Sequence, residues 1–298
     1  MTLRYDAGEV ITAMVTPFDK DLKIDEKSLI NLINHLVKNG SDGILAGGTT
    51  GESPTLSSDE TEFLFKTVKE TVNGRAKVVF GAGSNCTENA VKSVQKAQRL
   101  GADVILSVAP YYNKPSQNGI YAHFAQIAKS TDLPVIVYNI PGRTGICIKP
   151  STIARLANDF ENIVAVKQCV PDLNSVTELK MLCPEGFAIY SGDDSLTLPI
   201  LSLGAHGVIS VASHVEGKKI KEMISLFKSG DIEGARKIHY ELYPLFDKLF
   251  MCPNPVPVKE FLSSKGIIEN FVRLPLVTMN ETEKKEFYEV VNSYGENL

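Results

Sequence analysis

Residues 10–46 read VITAMVTPFDKDLKIDEKSLINLINHLVKNGSDGILA and contain the repeating unit of the predicted fold. The β-branched, apolar segment 10–16 is typical of a buried strand. The next segment has the apolar spacing of an amphipathic helix, at Leu29, Ile30, Ile33, Leu36 and Val37. Gly40 then terminates the helical pattern, and a second apolar segment covers residues 43–46. The stretch therefore predicts a strand, a helix and a second strand.

The same unit recurs along the chain. The strand-like segments are residues 10–16, 43–46, 78–83, 103–108, 134–139, 163–167, 188–191 and 207–210. Each is followed by a helical pattern; polar residues such as Ser57 and Thr87 are expected to cap helices, and Gly101 to end one. Eight such units favour an α/β fold, the (β/α)8 TIM barrel, with a doubly wound open sheet as the alternative.

Beyond residue 216 the strand pattern stops. Helical patterns continue over residues 218–229, 232–250, 258–265 and 281–293. We therefore predict a catalytic barrel over residues 1–225 and a C-terminal helical domain over residues 226–298. No Gly/Ser-rich or Pro-rich linker separates them, so we expect the two parts to pack together.

Composition excludes several classes of protein. The 298 residues carry 31 Lys and Arg against 35 Asp and Glu, a net charge of −4, and the charges are interspersed, so neither nucleic acid nor a membrane surface is an expected partner. No apolar run is long enough for a membrane span, and no secretion signal is recognisable at the N-terminus. Five cysteines without a C-x-x-C pair and five histidines without ligand spacing predict reduced thiols, a cytoplasmic location and no metal.

If the fold is a barrel, its chemistry belongs at the carboxyl ends of the strands. Lys167 ends the segment 163–167, and strand alternation places it on the same face as the apolar residues Ile163 and Ala165. Desolvation there would lower the pKa of the amine and make it a nucleophile. The alternative is a lysine that reaches solvent or pairs with a carboxylate.

Three further groups follow other strands. Tyr138 could carry protons, or it could be a packing residue. The glycine-flanked pair Thr49-Thr50 could bind a carboxylate or phosphate, although the P-loop pattern is absent and an ordinary tight turn is the alternative. Arg143 could bind a carboxylate or simply face solvent. Together with a nucleophilic lysine, these groups suit imine catalysis, in which a keto acid condenses with the amine and the derived enamine attacks an aldehyde.

Five segments match known motifs in order and spacing. They are residues 48–53 (GTTGES), 111–115 (YYNKP), 138–145 (YNIPGRTG), 166–167 (VK) and 191–194 (SGDD), with 254–259 (NPVPVK) in the tail. The chain resembles the dihydrodipicolinate synthase family of the N-acetylneuraminate lyase superfamily. The resemblance implies a class I aldolase-type lyase that condenses pyruvate with L-aspartate 4-semialdehyde, the entry step to diaminopimelate and lysine, with no cofactor beyond the covalent imine.

The resemblance also implies roles for individual residues. Lys167 would form the imine, and Tyr138, Thr50 and Tyr112 would relay protons, with Tyr112 reaching into a neighbouring subunit. Thr49 and Thr50 would hold the pyruvate carboxylate, Arg143 the semialdehyde carboxylate, and the Gly192 and Ile209 backbones would line the pocket floor. Family members are usually homotetramers built from pairs of tight dimers, though some are dimers.

The chain departs from the family pattern in two places. Gln168-Cys169 stands where synthases commonly have an acidic residue and alanine, and a Lys-Gln pair also occurs in N-acetylneuraminate lyases. Such a lyase or a 2-keto-3-deoxy sugar acid aldolase is therefore the nearest alternative, a non-catalytic barrel is a more distant one, and Arg143 favours the synthase. Ser58, Thr61 and Asn89 replace the histidines and glutamate of lysine-inhibited members, although Ser53, Asn85 and Tyr111 match their pocket, so we expect weak or absent inhibition by lysine.

Overall fold

The computed structural model describes residues 2–295, and within them the chain forms eight β-strands. The strands are β1 Val10–Ala13, β2 Gly43–Ala46, β3 Lys77–Gly81, β4 Val104–Val108, β5 Val135–Asn139, β6 Ile163–Gln168, β7 Ala188–Ser191 and β8 Gly207–Ser210. They form a closed barrel in sequence order, and the strand pairs are parallel. The predicted (β/α)8 barrel is thereby confirmed, and the open sheet is excluded.

Helices follow the strands throughout residues 2–295. They are α1 Glu26–Lys38, α2 Ser58–Val72, α3 Thr87–Arg99, α4 Gln117–Lys129, α5 Pro141–Thr144, α6 Pro150–Asp159, α7 Leu173–Leu182, α8 Thr197–Leu201, α9 Ser213–Ser229, α10 Ile232–Lys248, α11 Val256–Ser264 and α12 Glu281–Val291. The C-terminal region is helical, as expected. The predicted domain boundary after residue 225 stays a prediction, and it falls inside α9. None of the helices in the described part of the chain is long and apolar enough to cross a membrane.

Local side-chain chemistry explains several helix ends. Ser57 caps α2 and forms a reciprocal capping box with Glu60, as the sequence indicated. Gly40 and Gly101 adopt positive φ angles of 94° and 78° just beyond α1 and α3. The expected cap at Thr87 is wrong, because the cap position of α3 is Cys86 and the Thr87 hydroxyl instead pairs with His123 Nδ1 at 2.9 Å.

The chain divides into two compact units. The first unit contains residues 1–8 and 79–209, and its core is the parallel run β4 to β7, in which Tyr138 lies directly opposite Lys167. The second unit contains residues 9–78 and 210–298, with β1 beside β2 and α9 packed against β1 and α10. Each unit carries one group of the predicted site residues.

Candidate active site

Lys167 and Tyr138 form the centre of the residue group in the first unit. They occupy neighbouring positions on β6 and β5, and both side chains are 6% exposed. Every residue of β6 is buried, so the lysine stem cannot reach solvent from this strand. The Lys167 Nζ atom lies 4.5 Å from the centroid of the Tyr138 ring. The amine is therefore held against an aromatic face inside the fold.

Burial controls the protonation of both side chains. Desolvation lowers the pKa of Lys167, and the nearby carboxylates of Asp193 and Asp194 oppose that shift without reversing it. Within residues 2–295, no salt bridge joins Lys167 to a carboxylate. Desolvation also raises the pKa of Tyr138 well above its ordinary value, so the phenol keeps its proton. The pair thus combines an amine biased toward its neutral, nucleophilic form with a phenol that can donate a proton.

Cys169 and Gly192 complete this cluster. The Cys169 side chain lies close to Tyr138 and Lys167, and burial raises the pKa of the thiol to about 12, so it remains a neutral SH group. Gly192 follows β7 and lies against Cys169 and Lys167. A Cβ atom at Gly192 would overlap Cys169 Sγ and lie 3.0 Å from Lys167 Cε. Residue 192 must therefore lack a side chain for Cys169 to keep its present position, and an added Cβ would also crowd Lys167.

The variant Gly192→Ala is expected to lose the imine formation that the family resemblance implies for Lys167, because the added methyl group would displace Lys167 or Cys169. Reductive trapping of the pyruvate adduct with borohydride, followed by mass spectrometry, measures this directly. Gly142→Ala is the matched control, since a Cβ there meets no atom within 4 Å. The double variant Gly192→Ala/Cys169→Ala should recover part of the adduct, and a Gly192→Ala enzyme that traps pyruvate normally would contradict this interpretation.

Arg143 lies on the short helix α5, at the same end of β5 as Tyr138. Its guanidinium is exposed, yet it is close enough to oppose the protonation of Lys167 and favour the ionisation of Tyr138. The Asn139 side chain fixes the ends of the loop that carries Arg143: Ile148 N donates to Asn139 Oδ1 at 3.0 Å, and Asn139 Nδ2 donates to Ile148 O at 3.1 Å. The segment that carries Arg143 is thus hydrogen-bonded to the end of the strand that precedes it.

Gln168 helps to position this loop through hydrogen bonds. Its Oε1 atom accepts from Asn139 Nδ2 at 3.0 Å, and its Nε2 atom donates to Ser175 Oγ at 3.1 Å. Because adjacent strand residues point to opposite faces, Gln168 and Lys167 face away from each other. The departure at Gln168 therefore affects the loop that carries Arg143, whereas the departure at Cys169 lies beside the Lys167 amine.

The second unit contains the turn that follows β2. Thr49 is half-buried and Thr50 is buried, and the Thr50 Oγ1 atom accepts a hydrogen bond from Asn254 Nδ2 at 2.9 Å. Glu52 closes the turn in a left-handed conformation with φ of 55°. Such a conformation costs a non-glycine residue free energy and persists where the surroundings hold it.

Contacts of the buried Glu52 carboxylate stabilise this left-handed conformation. Lys259 Nζ donates to Glu52 Oε1 at 2.5 Å, and the two side chains are 0% and 1% exposed. Arg273 N donates to Glu52 Oε2 at 2.9 Å, while its guanidinium binds Glu60 and the Leu22 and Thr55 carbonyls. Desolvation lowers the pKa of Lys259 to about 8 despite the adjacent carboxylate.

Tyr112 and Ile209 occupy contrasting positions. Tyr112 is 88% exposed and has a positive φ of 72°, so its ring is presented at the surface and is not packed into the cluster around Lys167. Ile209 is fully buried in β8. The structure thus brings together Lys167, Tyr138, Arg143 and Gly192; Thr49 and Thr50 belong to the other compact unit.

Three supporting residues had no role in the sequence interpretation. Asn254 and Lys259 belong to the quoted motif 254–259 without an assigned task, and Arg273 was not singled out. The glutamate in the glycine-rich turn that directly follows a buried strand was the available signal, because a buried carboxylate requires a cationic partner. No group of three or more His, Cys, Asp or Glu side chains able to hold a metal occurs in residues 2–295.

Comparison with known proteins gives one consistent result. The sequence profile of the Dihydrodipicolinate synthetase family matches residues 6–294. The 4-hydroxy-tetrahydrodipicolinate synthase of Desulforamulus reducens is 51% identical over 288 residues, 97% of each chain. The dihydrodipicolinate synthase structure from Bacillus anthracis is 46% identical, with a TM-score of 0.94 over 97% of this chain and 98% of that one. A further solved relative, 41% identical with a TM-score of 0.93 over 95% of both chains, is described as a monomeric dihydrodipicolinate synthase variant.

Proposed function

The chain belongs to the Dihydrodipicolinate synthetase family, and we propose that Lys167 carries its reaction as the imine-forming nucleophile. The chain is an enzyme, a class I aldolase-type lyase, and its activity is 4-hydroxy-tetrahydrodipicolinate synthesis in the route to diaminopimelate and lysine. The observation that carries the proposal is the buried Lys167 amine, which lies against Tyr138 and forms no salt bridge within the described residues.

In the proposed reaction, the neutral Lys167 amine attacks the keto carbon of pyruvate. Loss of water gives a protonated imine, which withdraws electrons so that the methyl group can release a proton and form an enamine. The enamine carbon then attacks the aldehyde of L-aspartate 4-semialdehyde. Tyr138, Thr50 and Tyr112 would move the protons, and the raised pKa of Tyr138 supports a phenol that donates and recovers one proton. No cofactor takes part beyond the covalent imine on Lys167.

The two substrate carboxylates would have separate sites. Thr49 and Thr50 would bind that of pyruvate through hydroxyl and backbone donors, since tight turns present such groups. Arg143 would bind that of the semialdehyde, and the Gly192 and Ile209 backbones would line the pocket. The exposed guanidinium of Arg143, with its loop tied by Asn139, supports a site for an incoming anion.

The variant Arg143→Ala is expected to raise the KM for the semialdehyde about 10- to 100-fold, since a hydrogen bond to a charged group contributes about 1.5–3 kcal/mol. Borohydride trapping of the pyruvate adduct should stay close to that of the parent enzyme. Arg155→Ala is the control, because this arginine stacks on Tyr121 at 3.7 Å on the outer helices. Equal losses in trapping and turnover would mean that Arg143 supports the fold.

A coupled assay tests the function itself. The enzyme is supplied with pyruvate and the semialdehyde, and dihydrodipicolinate reductase converts the product with consumption of NADPH. NADPH oxidation supports the proposal. Pyruvate consumption with N-acetylmannosamine, without NADPH oxidation in the first assay, would keep Lys167 as nucleophile and assign the chain to the sialic acid lyases.

We also propose that the enzyme assembles as a homotetramer of two tight dimers, with Tyr112 shared between subunits. An exposed aromatic side chain on a backbone with positive φ supports this, because both the exposure and the conformation are unfavourable in an isolated chain. Analytical ultracentrifugation measures the assembly, and a fully active monomer would contradict the sharing of Tyr112.

A further inference from the structure

Asn254 lies in the segment before α11 and belongs to neither substrate site proposed above. Its side chain is 8% exposed, and its Nδ2 atom donates to Thr50 Oγ1 at 2.9 Å. Its Oδ1 atom is buried and has no hydrogen-bond partner among the described residues. Thr50 is therefore the polar partner that the structure gives to this buried amide.

A buried amide with an unpaired carbonyl is costly. Leaving such an acceptor unsatisfied costs about 1–3 kcal/mol, and most buried polar groups in proteins are paired. An apolar side chain at this position would avoid that cost. What Asn254 provides in return for that cost is its hydrogen bond to Thr50. This indicates that Asn254 serves the function of Thr50 and not the stability of the fold.

The chemistry of a hydroxyl group defines that task. A threonine hydroxyl has one proton to donate and two lone pairs that accept. Because Asn254 Nδ2 donates to Oγ1, one lone pair is occupied and the Thr50 proton must point to an acceptor other than Asn254. The amide thus sets the direction in which Thr50 donates. The Glu52 ion pair fixes the turn that carries Thr50, so both the position and the polarity of the hydroxyl are determined.

We infer that Asn254 is a positioning residue that orients the Thr50 hydroxyl as a proton donor in the relay. The inference rests on the proposed function, because the relay role of Thr50 belongs to it. Asn254 touches neither substrate in this scheme and acts through Thr50 alone.

Two substitutions test the inference. In Asn254→Asp the introduced carboxylate can only accept, so Thr50 would donate its proton to it and leave the relay; kcat should fall about 100-fold, the lower range for loss of a positioned acid or base. Asn254→Ala removes the orientation without capturing the proton and should lose less, about 10-fold. In both variants kcat should fall by a larger factor than the KM for pyruvate rises, because the backbone donors of the turn and Thr49 still bind the pyruvate carboxylate.

A pH profile separates orientation from simple damage. When the introduced carboxyl of Asn254→Asp is protonated at low pH, it can again donate to Thr50 Oγ1, so the ratio of its kcat to that of the parent enzyme should rise as the pH falls. A merely structural defect would leave this ratio flat. Unchanged kcat in Asn254→Asp, or a flat ratio, would overturn the inference.

Asn270 provides the matched control. It lies in the same C-terminal region, donates from Nδ2 to Glu260 Oε2 at 2.6 Å, and also has an unpaired Oδ1 atom, but it does not contact Thr50. Asn270→Ala and Asn270→Asp should keep the parent kcat, and losses equal to those at Asn254 would contradict a specific role. If Asn254→Asp does not fold, Asn254→Ala is the deciding variant. Its rate of imine formation, measured by stopped flow, should be lower than that of the parent enzyme, and an unchanged rate would overturn the inference. If borohydride traps no pyruvate adduct on the parent enzyme, the proposed function is refuted. If the adduct forms on the parent enzyme but the Asn254 variants keep the parent kcat, only this inference is refuted.

Discussion

Replacing Lys167 by alanine is expected to abolish turnover, with a loss of at least about 10⁴-fold, as is typical when a covalent nucleophile is removed. The physical reason is that the imine cannot form without the amine, and neither Tyr138 nor Arg143 can replace the amine as the nucleophile. Steady-state turnover and the mass of the borohydride-trapped pyruvate adduct are the two measurements. Turnover retained by Lys167→Ala would remove this residue from the mechanism.

Two controls separate nucleophile loss from other effects. Lys167→Arg keeps a cation on a long stem but supplies no amine that forms the imine, so it should be equally inactive. Lys237→Ala removes an exposed lysine and should leave turnover unchanged. Because burial lowers the pKa of Lys167, imine formation in the parent enzyme should increase with pH until this lowered pKa is passed, at a value below the ordinary lysine pKa of about 10.4.

Breaking the Glu52–Lys259 pair is expected to be the largest stability effect. Lys259→Met leaves a carboxylate with almost no solvent contact and one backbone donor from Arg273, and loss of one partner of a buried pair costs about 3–5 kcal/mol. The midpoint of urea unfolding, measured at fixed protein concentration, reports the change. Glu52→Gln should be destabilising for the same reason, since it leaves the Lys259 ammonium buried.

The double variant Glu52→Gln/Lys259→Met should be more stable than either single variant, because it leaves no unpaired charge. The Lys92–Glu88 pair is a geometric control: it has the same 2.5 Å separation, but its side chains are 67% and 74% exposed, so Lys92→Met should leave the unfolding midpoint nearly unchanged. A midpoint shift for Lys259→Met no larger than that for Lys92→Met would contradict the proposed importance of burial.

The strands and the buried position of Lys167 were predictable because their signals are local. Each strand is a short apolar run, and alternation alone places Lys167 on a face with Ile163 and Ala165, where the structure finds it buried. The tail helices were also predicted, with α9 beginning at Ser213 and not at residue 218. The cap of α3 was missed because the Thr87 hydroxyl is used by His123, a partner 36 residues away.

The supporting contacts could not be predicted in the same way. Asn254 meets Thr50 across 204 positions and Lys259 meets Glu52 across 207, so no periodicity or spacing signals either pair. Gln168 was noticed for a different reason, as a departure beside the lysine. Its hydrogen bonds to Asn139 and Ser175 show that it helps to position the loop that carries Arg143, which no local pattern indicates.

The distance between the turn and its supports also sets an order of events during synthesis. Glu52 leaves the ribosome long before Lys259, and the Arg273 backbone that completes its hydrogen bonds follows 221 positions later. At about 5–20 residues per second this interval is roughly 10–45 s. The nascent chain therefore carries the Thr49–Glu52 turn without its partners for most of its translation. Any nascent or truncated chain that ends before residue 254 lacks every one of the three supports, so the Thr49–Glu52 turn is among the last features of the fold to be completed.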